Sequence, residues 1–110
     1  MTNINIYLFG FVLLLFACES TTTSVEVAEK IPLTYLALGD SYTIGESVEV
    51  EERYPIQLAQ KLRANSIDID TPLIIAKTGW TTDELQAAIN ERNLQDTFDL
   101  VSLLIGVNNQ

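Results

Sequence analysis

Ser41, Gly79 and Asn108 are the residues whose types and surroundings could together support acyl transfer. That chemistry needs a nucleophilic hydroxyl and hydrogen-bond donors aimed at the oxyanion of the tetrahedral intermediate. Ser41, in Gly39-Asp40-Ser41-Tyr42, can supply the hydroxyl. Gly79, in Thr78-Gly79-Trp80, can present a backbone N–H that no side chain obstructs, and Asn108, in Gly106-Val107-Asn108-Asn109, can present a side-chain amide. Asp40 and Ser41 are also residue types that cap helices, so the same tripeptide reads equally as a cap with no chemistry. Gly39 permits backbone angles that Cβ-bearing residues avoid, as a tight turn after a strand requires.

Each of the three positions follows a short apolar run, at residues 33–38, 72–76 and 99–105. Runs with so little polar interruption suit strands buried on both faces of a parallel sheet. Between the first two lies a helical pattern opened by Pro55, with Ile56, Ala59 and Leu62 on one face, Leu58 four before Leu62, and Asn65-Ser66 closing it. Between the second and third, Thr81 and Glu84 fit a capping box ahead of Leu85, Ala88 and Ile89. Four glutamates among residues 46–52 predict a solvated loop. The alternation strand, helix, strand, helix, strand predicts parallel strands with right-handed crossovers in a three-layer α/β/α arrangement. Parallel strands deliver their carboxyl ends to one edge, so the loops bearing Ser41, Gly79 and Asn108 should converge there.

The first part of the 110-residue chain has a different character. Residues 4–17 are apolar apart from Asn5 and predict the hydrophobic core of a secretory signal, short of the about 20 residues a spanning helix needs. Leu15-Phe16-Ala17-Cys18 resembles a bacterial lipobox, although no Lys or Arg precedes the apolar run. The expected organisation is a signal peptide over 1–17 and a flexible tether over 18–31 that begins at a lipidated Cys18, with a domain from Pro32 onward. Such a protein is exported and anchored in a bacterial membrane, facing periplasm or cell surface. The single cysteine excludes an internal disulfide framework, and with no histidine the chain lacks His-containing or Cys-rich metal sites. All 15 acidic and 6 basic residues follow Ala17, leaving the segment after the signal peptide the full net charge of −9, which argues against nucleic acid and anionic lipid headgroups as partners.

Gly39-Asp40-Ser41-Tyr42 with Gly45-Glu46, Gly79 in Thr-Gly-Trp-Thr-Thr, and Gly106-Val107-Asn108-Asn109 resemble the first three sequence blocks of the SGNH or GDSL-type esterases and lipases, over residues 33–110. The resemblance implies a flavodoxin-like α/β/α hydrolase without a cofactor, acting on a small ester. In it Ser41 attacks the ester carbonyl, the backbone N–H of Ser41 joins Gly79 and Asn108 in the oxyanion hole, and Gly39 and Asp40 shape the supporting turn. Asn109 stands where the family more often has Asp. The family's general base is a histidine in a late Asp-x-x-His block, which this chain does not contain. The expectation is therefore the amino-terminal half of a longer hydrolase, with residues 32–110 forming an incomplete domain that is unstable and inactive alone. The resemblance allows lysophospholipid, thioester, aryl-ester and acetylated-sugar substrates. A non-catalytic lipoprotein binding a carbohydrate or acyl ligand in the same cleft is the alternative, and a flavodoxin-like phosphate binder is a third reading that lacks a dense glycine pattern.

Overall fold

A computed structural model describes residues 30–110. The signal-peptide, Cys18 and tether expectations lie outside the described residues. Three parallel strands, β1 (Tyr35–Gly39), β2 (Leu73–Ala76) and β3 (Leu100–Leu104), pair in the order β2-β1-β3. Leu36 is opposite Leu73 on one side and Val101 on the other. Leu33 and Thr34, expected within the first strand, stand just before it, Leu33 forming an isolated parallel bridge to Ile69. Asp99 fixes the β1–β3 register at its start, because its Oδ2 accepts from Thr34 N at 2.8 Å and Thr34 Oγ1 at 2.9 Å.

The side chains of β1 alternate between two cores. Tyr35 and Ala37 pack with Ala59, Leu58 and Leu62 of helix α2 (Tyr54–Ala64), whereas Leu36 and Leu38 pack with Leu85, Ala88 and Ile89 of helix α3 (Thr82–Arg92), α1 being the short helix that follows β1. The two helices thus cover opposite faces of the sheet. Since β2 and β3 also lie on opposite sides of β1, both crossovers have the same hand, and the three-layer expectation holds. Ile56, expected on the apolar face of α2, is not part of that core. Fully burying a leucine such as Leu85 contributes about 1.5–3 kcal/mol, and Leu85 is buried by α3 against Leu36 and Ile75.

Local signals explain the helix limits. Pro55 sits in the first turn of α2, and Asn65 caps its end. Thr81 and Glu84 form the expected capping box of α3: Thr81 N donates to Glu84 Oε2 at 2.9 Å, and Glu84 N donates to Thr81 Oγ1 at 3.4 Å. The acidic run differs from its expectation. Val50–Glu52 form one 3₁₀ turn in which Glu49 and Glu52 cap each other, although its side chains remain exposed. On β3, Val101 and Leu103 stay exposed on the face where α3 lies over β1 and β2, and Leu104 is exposed on the other face.

Candidate active site

Strand β1 ends at Gly39, and the chain turns at once into α1 (Ser41–Ile44). Close approach dictates glycine at 39: a Cβ there would collide with the backbone carbonyl of Leu104 on β3 and with the side chain of buried Thr43. Asp40 is almost completely buried and caps α1, its Oδ1 accepting from Tyr42 N at 3.1 Å while its carbonyl accepts from Thr43 and Ile44. The capping and supporting-turn roles of Asp40 are therefore one geometry. Gly45, at φ 70°, ends the helix, and its N–H donates to Ser41 O at 3.0 Å.

Ser41 is the first residue of α1 and half-buried. Its carbonyl accepts from the N–H groups of Gly45 and Glu46, while its hydroxyl stands outside that network. In the order β2-β1-β3 the chain leaves β1 toward one side and returns to the other, so the crevice between the carboxyl ends of β1 and β3 is a topological switch point, where open α/β sheets hold ligands. Ser41 follows the first of these ends and Asn108 the second.

Gly79 is exposed and has φ 83°, a conformation that disfavours any Cβ-bearing residue, with open space where a side chain would stand. Asn108 Nδ2 donates to Trp80 O at 2.9 Å, tying the β3 loop to the Gly79 loop. An amide nitrogen carries two protons, so this bond orients the side chain and leaves a second N–H. The structure thus joins the Gly79 and Asn108 loops directly and brings Ser41 to the same sheet edge, without a hydrogen bond between Ser41 and either. Asn109, the departure from the family pattern, makes two bonds to the start of α3: its Oδ1 accepts from Thr82 N at 3.0 Å, and its Nδ2 donates to Thr82 Oγ1 at 2.7 Å. Of the two aromatic residues beside these loops, Trp80 packs into the α3 core, whereas Tyr42 is 63% exposed.

A groove of about 260 Å³ opens from Ser41, lined also by Tyr42, Glu46, Glu52, Arg53 and Tyr54. Behind it, Tyr54 and Tyr35 share hydrogen bonds with Ser102 Oγ, at 3.1 and 2.8 Å. Burial pushes the Tyr35 hydroxyl above its ordinary value, against a smaller opposing effect of the Ser102 bond, so Tyr35 stays neutral. Sequence reasoning passed over Arg53 and Tyr54. The available signal was a cation directly ahead of a helix, where the dipole disfavours positive charge.

No family model matches the sequence, and no curated protein does. Among solved structures the chain is similar to the crystal structure of AlinE4, an SGNH-hydrolase family esterase, with a TM-score of 0.64 and 26% identity. The match covers 73% of this chain and 43% of that one. The chain carries part of an SGNH-hydrolase fold. Two mutants of the same esterase match over the same shares with a TM-score of 0.64, at 26% and 24% identity. The SGNH likeness agrees with the family resemblance of the sequence and with the three-stranded parallel α/β sheet, and the chain spans less than half the length of the esterase it matches.

Proposed function

We propose that this chain contributes the nucleophile and oxyanion hole of a serine esterase. Ser41 Oγ passes its proton to a general base and attacks the ester carbonyl carbon, the carbonyl π electrons move to oxygen, and the oxyanion is met by N–H groups of Ser41, Gly79 and Asn108. Collapse expels the alcohol, which takes a proton from the base, and leaves an acyl group on Ser41 that water then removes. The single observation that carries this reading is Ser41 at the switch point of an SGNH-type sheet, beside two loops clamped together by the Asn108–Trp80 bond. With no histidine among the 110 residues, the reaction draws its general base from protein outside them.

The substrate under this reading is a small carboxylic ester of the lysophospholipid, aryl or acetyl type. With short-chain aryl esters and the full-length protein, Ser41→Ala is expected to lower kcat by more than about 10⁴-fold; turnover within tenfold of the parent would sink the proposal. Export and a lipid anchor on Cys18 complete it, and Cys18→Ser is expected to move the protein from the membrane fraction to the soluble one. The missing histidine favours a second reading, a non-catalytic lipoprotein binding a carbohydrate or acyl group, which would give ligand binding without ester turnover.

A further inference from the structure

The amide of Asn108 rides on a turn that contributes no residue to either apolar core. The chain leaves β3 and bends at Gly106, φ 122°, and Asn109 N donates to Gly106 O at 3.1 Å, so Asn108 stands third in a four-residue turn. Val107, beside it, is 50% exposed and belongs to neither core. The place of the Asn108 amide therefore depends on polar ties. One is its own bond to Trp80 O at 2.9 Å. The other is made by Asn109, whose Oδ1 accepts from Thr82 N at 3.0 Å and whose Nδ2 donates to Thr82 Oγ1 at 2.7 Å. A backbone N–H can only donate, so a single orientation of the Asn109 amide forms both bonds.

Thr82 is a firm post for this tie. It opens α3, and its N–H is one of the helix-start donors that have no partner inside the helix. The residues around it are secured locally, because Thr81 and Glu84 cap each other and Leu85 is 3% exposed in the core beneath. The Gly79 side of the oxyanion hole is thus held without help from Asn109. The Asn108 side is not: freed from Thr82, the turn would pivot between Gly106 and the one Trp80 bond. A displacement of about 1 Å from productive geometry can cost on the order of 10²-fold in rate. Resting on the esterase reading of Ser41, we propose that Asn109 is a positioning residue, which by its two bonds to Thr82 holds the second Asn108 N–H where the oxyanion forms and acts on catalysis through Asn108.

The test is a double-mutant cycle in the full-length protein with phenyl acetate as substrate, and Ser41→Ala as control. Asn109→Ala is expected to lower kcat by about 10- to 100-fold with KM within about threefold of the parent. Asn109→Asp should restore kcat to within about threefold, since a carboxylate accepts from Thr82 N and from a Thr82 hydroxyl turned to donate. In the Asn108→Ala background, adding Asn109→Ala should change kcat by less than about twofold, because the group it positions is already gone. Lost stability alone would not be absorbed in this way. Thr82→Val keeps the backbone N–H and deletes the hydroxyl; it should lower kcat in the same direction, and it carries the test should Asn109→Ala fail to fold. Parent kcat in both of these variants, or effects of Asn108→Ala and Asn109→Ala that multiply, overturns the positioning role and leaves the esterase reading standing. Turnover that survives Ser41→Ala overturns both.

Discussion

Replacing Gly39 by alanine probes the point where the nucleophile turn meets the sheet. The added methyl would fall inside contact distance of Leu104 O and Thr43 Oγ1, and 2.8 Å from Thr43 Cβ. Neither neighbour can step aside cheaply. Leu104 O belongs to the backbone of β3, and Thr43 is fully buried, with its hydroxyl donating to Leu38 O at 3.4 Å. Relief therefore requires β1 and β3 to part, or α1 to lift and carry Ser41 with it. Overpacking of well-filled cores costs about 1–3 kcal/mol, and a clash with immovable backbone belongs at the upper end, near 3 kcal/mol. With a urea m-value of about 1–3 kcal/mol/M, the unfolding midpoint of the full-length protein should drop by about 1–3 M. Trp80, the single tryptophan of these 110 residues, lies against the α3 core and contributes to the fluorescence signal. A Gly39→Ala unfolding free energy within about 0.5 kcal/mol of the parent, the range of an ordinary surface substitution, would refute the close approach of β1 to β3.

Asn108→Ala should reduce kcat by about 10²–10³ with KM little changed, the signature of a lost oxyanion donor, and steady-state kinetics on a short-chain ester checks it. Asn109→Ala removes both bonds to Thr82 and should cost about 1–2 kcal/mol in chemical unfolding, whereas Asn109→Asp, accepting from Thr82 N and Oγ1 near the start of α3, should be neutral or stabilising. Backbone hydrogen bonds from Thr34 to Asp99 and from Thr81 to Glu84, with hydroxyl bonds adding, hold both carboxyls below their usual range. A depressed pKa contributes stability that is fully present above the unfolded value, about 4, and lost as pH falls through the lower folded value. Urea midpoints measured from pH 7 to pH 3 should therefore fall toward acid, and less steeply in Asp99→Asn; equal slopes would contradict the role of the Thr34 bonds.

The parts of the fold that were legible in the sequence are those set by neighbouring residues. Short apolar runs read as strands because a sheet covered by helices on both faces exposes little of β1 or β2. The Thr81–Glu84 box and Pro55 are local instructions, and the helices obey them. Strand order was not legible, because the alternation of strand and helix is the same whether the third strand joins β1 or β2. The 3₁₀ turn at Val50–Glu52 hid inside a charge run, where two exposed glutamates cap it without changing the hydrophobic pattern. At the site, Ser41, Gly79 and Asn108 were identified by type and by their place after strands. The Asn108–Trp80 and Asn109–Thr82 ties were not, since they join residues 28 and 27 positions apart through loops.

The nucleophilic role of Ser41 is tested most directly by treating the native full-length protein with a fluorophosphonate and mapping the adduct by peptide mass spectrometry. The expected result is one phosphonyl group on the peptide containing Ser41, with loss of esterase activity in step and no labelling in Ser41→Ala. Label on another residue, or none while ester turnover continues, would contradict it.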